Sequence, residues 1–325
     1  MKQLDIKDRK ILYELDLNCR QSNVQIGKKV GLSKEVVKYR INRMQDEGII
    51  TNFWTAINTY KLGYEVIRIY ISFQDVSSKI KDEIIRYFIN CKNVWAIISL
   101  TGEVDLDVIL WIKDFNEFYR FWNITLEHFG NYFGRQTIST LNNVIAYKKN
   151  YLLPDENKNV EREIYRMSSG GDTIKIDEED YKLLNEIAVN ARIPLIDLAT
   201  KLHCSSQTVT YRINNLLKKG IIKAFRVDVN ITKLGFEKFG ICIYLKDHTK
   251  KRLIEESIKN NPCLEYIDEA IGWADLQFEL IVENMSKLLL ISEEFNVKFP
   301  AAIRKQTFIM AQKYHKERWL PEMSF

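Results

Sequence analysis

"SKEVVKYRINRMQDEGII", residues 33–50, and "SSQTVTYRINNLLKKGII", residues 205–222, are one helical sentence written twice in a chain of 325 residues. Tyr39-Arg40-Ile41-Asn42 recurs as Tyr211-Arg212-Ile213-Asn214, and Gly48-Ile49-Ile50 recurs as Gly220-Ile221-Ile222. The same offset of 172 positions (Asp5 to Asp177) carries "LDIKDRKIL" onto "IDEEDYKLL" and Leu62-Gly63 onto Leu234-Gly235. Farther along it slips to 170, where Gly102 and Asp105 meet Gly272 and Asp275. A solenoid needs several short units, so two long ones mean a duplicated protein joined in tandem.

Each copy opens with helix signals. Asp5 and Asp177 are N-cap candidates, with Asp8 and Asp180 in the first turn to favour its positive end. A second helix, "NVQIGKKV" or "LIDLATKL", stops at Gly31 or His203, residue types that tolerate a left-handed turn. Ser33 and Ser205 then cap a third helix that ends at Gly48 or Gly220. Strand-like "IITNFWTAIN" and "IIKAFRVDVN" follow, which completes a winged helix-turn-helix pattern.

The rest of each copy alternates differently. "EVIRIYISF" predicts a strand, "SKIKDEIIRYFIN" a helix, "NVWAIISL" and "DLDVILWI" two strands about the turn "TGEVD", "FNEFYRFWNITLEHF" a helix and "TISTLNNVIAYKK" a last strand. That order, β-α-β-β-α-β, is ferredoxin-like, and the second copy repeats it with "AIGWAD" at the turn. The fold class is therefore α+β: a tandem duplication of a winged helix-turn-helix and a ferredoxin-like domain. The expected units are 1–60 and 61–153, a polar linker at 154–175, then 176–232 and 233–325. Within the linker, "VEREIYRM" could form a short helix, though nothing in the pattern demands one.

Composition narrows the class. Formal net charge is +5, which permits a nucleic-acid partner without requiring one. Apolar runs such as "GICIYL" fall short of a membrane span. The charged N-terminus and five scattered cysteines, with no CxxC pair, fit a reducing cytoplasm. The four histidines lack metal-ligand spacing, and no phosphate-binding, zinc-protease or nucleophile-elbow motif occurs, so neither metal, cofactor nor enzyme activity is expected.

The ordered set of Tyr-Arg-Ile…Gly-Ile-Ile, Leu-Gly and Gly-x-x-Asp, present twice, resembles the leucine-responsive/AsnC (Lrp/AsnC) family of transcription regulators. The resemblance implies double-stranded DNA as partner, and a RAM domain as the ferredoxin-like half. Family members usually carry one unit per chain, whereas this chain carries two.

On the third helix, a count of 100° per residue puts Val37, Ile41 and Met44 on the core side, with Glu35, Lys38, Tyr39, Asn42 and Arg43 opposite. Gln207, Thr210, Tyr211, Asn214 and Asn215 hold that face in the second copy. Amides paired to adenine, lysine to guanine or phosphate, and glutamate accepting from cytosine are what a helix in the major groove uses. Ser33, Lys34, Ser205 and Ser206 at the helix starts join the candidate set. Arg40 and Arg212 sit at the edge of the core stripe, suited either to phosphate or to clamping the helix to its own domain.

In the ferredoxin-like half, alternation puts Ile67, Ile69, Ile71 and Phe73 under the helices. Val66, Arg68, Tyr70, Ile109 and Trp111 lie on the far face, which wants a partner. The resemblance implies RAM–RAM pairing, within the chain or as a homodimer, and an amino-acid effector at the turns. Gly102, Asp105, Gly272 and Asp275 are its candidate residues, with Thr137 and Thr307 at the pocket wall. Two other readings share the pattern. One is a siroheme decarboxylase branch of this fold, which typically carries a Trp-Pro-Tyr-Asn-like segment where this chain has "TGEVD" and "IGWAD". The other is an effector-responsive adaptor that binds protein.

Overall fold

The structure, a computed structural model, describes residues 4–153 and 162–323. The first head comprises α1 (Ile6–Leu17), α2 (Asn23–Val30), α3 (Lys34–Asp46) and the wing strand β1 (Ile50–Ile57). Its first ferredoxin-like half is β2 (Glu65–Phe73), α4 (Ser78–Asn90), β3 (Val94–Gly102), β4 (Leu106–Ile112), α5 (Phe115–Phe129) and β5 (Phe133–Tyr147). After β6 (Glu163–Ser168) comes the second head: α6 (Glu178–Val189), α7 (Leu195–Lys201), α8 (Ser206–Lys218) and β7 (Ile222–Val229). The second half is β8 (Glu237–Leu245), α9 (Lys251–Ile258), β9 (Leu264–Ile271), β10 (Leu276–Val282), α10 (Met285–Lys298) and β11 (Ile303–Glu317).

The expected caps form. Asp5 accepts from the Asp8 amide at 2.8 Å and Asp177 from the Asp180 amide at 2.7 Å. Gly31 and His203 adopt the left-handed conformation, at φ of +69° and +51°. The described part of the segment, from residue 162, departs from the short-helix expectation. Residues 154–161 lie outside the described residues, and Glu163–Ser168 is a strand that pairs antiparallel with β5, Val144 opposite Met167. Tyr165 alternates into the core at 5% exposure, so a free strand edge and an apolar slot outweigh helix propensity there.

The heads are tied to each other. β1 and β7 form an antiparallel two-stranded ribbon, with Phe53 opposite Val227. α1 packs on the wing of the second head and α6 on the wing of the first. The Cys19 amide donates to the Phe225 carbonyl at 2.9 Å, and the Ala191 amide to the Phe53 carbonyl at 2.8 Å. Arg20 and Arg192 cross the seam, Arg20 donating to the Ala191 carbonyl at 2.7 Å and Arg192 to the Cys19 and Gln21 carbonyls.

The halves exchange strands. β5 pairs with β2 over Phe133–Leu141, then runs on to pair with β9, Ile145 opposite Ile267. β11 pairs with β8, then runs on to pair with β3, Ala311 opposite Leu100. The order β2-β4-β3-β11-β8-β10-β9-β5 returns to β2, so eight strands close into a ring, with β6 added on β5. Closure removes the edges that each half alone would leave open. The helices lie outside the ring. Ile67, Ile69 and Ile71 meet Ile84, Phe88 and Trp122 in one outer core, and Ile241, Phe278 and Leu280 meet Ile291 and Phe295 in the other. The opposite faces, with Val66, Tyr70, Ile109, Trp111 and Ile281, point into the ring and join the core of the heads.

Candidate nucleic-acid interface and ligand cavity

The third helix of each head is held by the same three-residue stripe: Val37, Ile41 and Met44 in α3, and Val209, Ile213 and Leu216 in α8, all buried. Ser33 accepts from the Val36 amide at 3.3 Å and Ser205 from the Thr208 amide at 3.1 Å, so both serines act as caps. The opposite face is open. Lys34, Glu35, Lys38, Tyr39 and Asn42 are exposed on α3, and Gln207, Thr210, Tyr211 and Asn214 on α8, with Ser206 half-buried. Tyr39 and Tyr211 stand out at 66% and 71% exposure.

The arginines do not join that face. Arg40 donates to Asp5 at 2.7 Å and Asp8 at 2.8 Å, and Arg212 reaches Asp177 at 2.9 Å and Asp180 at 2.6 Å. Both are clamps between the third helix and the first. Arg43, placed outward by helical periodicity, turns inward and pairs with Asp8 at 2.7 Å. Its long apolar stem lets the guanidinium reach a buried carboxylate off the face its Cα occupies. The second head has Asn215 at that position, so Asp180 relies on Arg212.

At the turns, the room left by the glycines is taken by the other half's last strand. A Cβ on Gly102 would lie 2.2 Å from the Phe308 carbonyl oxygen of β11, and one on Gly272 would lie 2.4 Å from that of Ile138 of β5. Asp105 accepts from the Phe73 amide at 2.8 Å and Asp275 from the Leu245 amide at 2.7 Å, so each carboxylate ends a strand. Thr137 and Thr307, both half-buried, lie on the crossing strands near these turns. The two turns have diverged. At the first, Glu103 meets Lys305 at 2.9 Å and Arg135 at 3.2 Å; partial burial raises its carboxyl, but Thr307, Lys305 and Arg135 together hold it below the usual range. At the second, Trp273 stacks on Tyr70 with centroids 4.3 Å apart and donates to the Cys242 sulfur at 3.3 Å.

A cavity of about 540 Å³ occupies the other end of the ring, beneath the wing ribbon. Two stacked tryptophan pairs line it: Trp54 with Trp319 at 4.2 Å, and Trp95 with Trp111 at 5.7 Å. Its floor is charged. Arg68 bridges Asp107 at 2.5 Å and Asp268 at 2.7 Å, Lys149 meets Glu265 at 3.1 Å, and Lys238 meets Glu265 at 3.2 Å and Glu279 at 2.7 Å. Glu265 reaches the cavity because it is a bulge residue: Leu264 faces Leu280 while Tyr266 faces Glu279. Burial works against its charge, but Lys149 and Lys238 outweigh it and bring its carboxyl down to about 2. Asp268 goes the other way. Burial and the neighbouring Glu279 outweigh Arg68 and raise it to about 7.

Residues 4–51 and 176–223 each match the winged helix-turn-helix DNA-binding family. Over 118 residues the chain is 34% identical to the HTH-type transcriptional regulator Ptr1 of Methanocaldococcus jannaschii, covering 36% of this chain and 78% of that relative. It is 32% identical over 93 residues to the HTH-type transcriptional regulator LrpA of Bacillus subtilis, covering 29% of this chain and 62% of LrpA. The chain belongs to the Lrp/AsnC family of transcriptional regulators. Each relative matches about one unit of this tandem family member. Across nearly its whole length the fold is similar to the siroheme decarboxylase NirDL, with a TM-score of 0.65 at 12% identity, covering 98% of this chain and 94% of that one. At that identity the likeness concerns the fold alone.

The cavity is what sequence reasoning missed in this family member. A signal was present: Arg68 and Asp107 interrupt otherwise apolar strands on the same face, as do Asp268 and Glu279 in the second half. Pairing Arg68 with Asp268, 200 positions apart, needed the strand exchange.

Proposed function

We propose that this Lrp/AsnC protein is a sequence-specific DNA-binding transcription regulator that reads a site of two related, unequal half-sites. The observation that carries this reading is the pair of exposed third-helix faces, similar but not identical, on heads fastened by one wing ribbon. Asn42 and Asn214 offer the same amide to a base edge, whereas Glu35 faces Gln207 and Lys38 faces Thr210 across the duplication. Lys34 and Lys38 give the first head more phosphate attraction than Ser206 and Thr210 give the second. Selection of bound fragments from random DNA, at low and near-physiological salt, tests it. The expected motif has two unequal halves about 10–10.5 base pairs apart or a multiple of that. Binding with no motif at either salt overturns the reading, and no salt-sensitive DNA binding at all points to the protein-binding adaptor.

A small effector is part of the proposal. At the first turn an amino acid would bind by replacing the Glu103 pairs with Lys305 and Arg135, its carboxylate taking the two cations and its ammonium group meeting Glu103. A thermal-shift screen of the common amino acids reads this, with Glu103→Gln as the control. The siroheme decarboxylase reading has only the shared fold behind it, and the excess of carboxylates in the cavity opposes a polycarboxylate substrate there.

A further inference from the structure

The ring cavity is unlike the turns, because its polar groups are not all satisfied by one another. It is lined by six carboxylates (Asp228, Glu237, Glu265, Asp268, Glu279 and Glu317) against three cations, Arg68, Lys149 and Lys238. All three cations are committed to Asp107, Asp268, Glu265 and Glu279. Among the described residues, Glu317 and Asp228 form no ion pair; Asp228 accepts from the Thr51 hydroxyl at 3.0 Å and the Val229 amide at 3.1 Å, which leaves its charge without a cation. They lie near the stacked Trp54 and Trp319 in the wall formed by the wing ribbon and the end of β11. Tyr314 and Glu317 are exposed, and both line the cavity.

Three ligand chemistries can be weighed against this lining. An anion would face Glu317 and Asp228 with every nearby cation already paired. A neutral apolar molecule would fill the space between the tryptophans but strip water from Glu317, and from an Asp228 that holds hydrogen bonds but no cation. A cation gains twice, from the carboxylates and from the negative faces of the indole rings. The volume lies within the range of pockets that enclose a small organic molecule.

We infer that the ring cavity is a binding site for an organic cation, an amine or guanidine carried on an apolar body, with its charge set between Glu317, Asp228 and the Trp54–Trp319 pair. Burial and Asp228 raise the Glu317 carboxyl to about 7, so the empty site holds part of a proton that a bound cation would displace. The roof of the site is the ribbon that joins the heads, so an occupant touches the element that fixes their relative placement. That consequence rests on the two-headed DNA-binding reading; the binding itself does not.

Calorimetry on the full chain without DNA tests the site with three probes of one shape: 4-phenylbutylamine, 4-phenylbutanol and 4-phenylbutyrate. The amine is expected to bind at least about tenfold more tightly than either of the others. Its heat is expected to vary with the ionisation enthalpy of the buffer, since protons leave the site. Glu317→Gln is expected to weaken the amine about tenfold and leave the alcohol unchanged. If Glu317→Gln does not fold, Asp228→Asn, which lies beside it, carries the same expectation. No heat from any probe, equal affinity for butyrate and amine, or an amine affinity untouched by the substitution overturns the inference. Because no DNA is present, each of these results leaves the reading of the heads as it stands.

Discussion

Substituting Gly102 by alanine separates two reasons for a glycine at the first turn, approach of a ligand or passage of a strand. Gly102 has φ of +131°, and an added Cβ would lie 2.2 Å from the Phe308 oxygen and 3.2 Å from the Ile309 Cα. Backbone strain costs about 1–3 kcal/mol. Moving a paired strand to relieve the contact adds about 1–3 kcal/mol, as for other overpacked positions. The expected loss is therefore about 2–6 kcal/mol. Gly235→Ala is the control. Its φ is +80° with nothing within 4 Å, so only strain applies, about 1–2 kcal/mol. Urea unfolding followed by near-ultraviolet circular dichroism compares the two, because the tryptophans of the ring interior dominate that signal. The mutant ring should unfold at clearly lower urea than the control. A Gly102→Ala protein no less stable than Gly235→Ala would refute the strand-crossing account and return the glycine to the ligand.

Further outcomes follow from the ion pairs. Arg68→Met leaves Asp107 and Asp268 buried without their ion-pair partner and should cost about 3–5 kcal/mol in urea unfolding. Adding Asp268→Asn should restore part of that loss; no restoration would mean that the cost is packing, not charge. Arg212→Ala should destabilise its head more than Arg40→Ala does, since Asp8 keeps Arg43 whereas Asp180 keeps no second cation among the described residues. Equal losses would deny Arg43 its inward role. Asp268 binds its proton more readily folded, at about 7, than unfolded, at the ordinary 3.8, with Arg68, Lys238 and Glu279 facing it. Its contribution to stability is therefore full below about pH 4 and lost as pH rises through about 7, and Asp268→Asn should flatten the melting temperature over that window. Finally, a chain cut at a protease site introduced between residues 154 and 161 should elute from a sizing column unchanged, because β5 and β11 each pair with the other half.

What was legible in the sequence was local. Ser33, Ser205, Asp5 and Asp177 cap helices because a short polar side chain reaches an amide three residues on, and Ser78–Asn90 and Phe115–Phe129 are helices as periodicity predicts. The face of β2 that carries Arg68 and Tyr70 was readable for the same reason, since alternation needs no partner. What was hidden depended on distant segments. Arg43 points inward because Asp8 is there, Glu163–Ser168 is a strand because β5 offers an edge, and Glu265 enters the cavity through a bulge set by β10. The turns at Gly102 and Gly272 were singled out as an effector site from resemblance alone, and their geometry depends on strands that arrive from the opposite half.

The exchange of last strands also has a consequence for synthesis. β3 finds its outer partner only in β11, with Gly102 opposite Ile309. When the first half leaves the ribosome, β2, β4 and β5 can associate at once, but β3 stands as an open edge until about 170 further residues are made, from the end of β5 at Tyr147 to the end of β11 at Glu317, on the order of 10–35 s at ordinary elongation rates. Throughout that interval the nascent chain displays an unpaired, apolar strand, the kind of edge that recruits other chains. The folded ring has no such liability, so the hazard belongs to translation, where slow elongation or a truncated message would expose it.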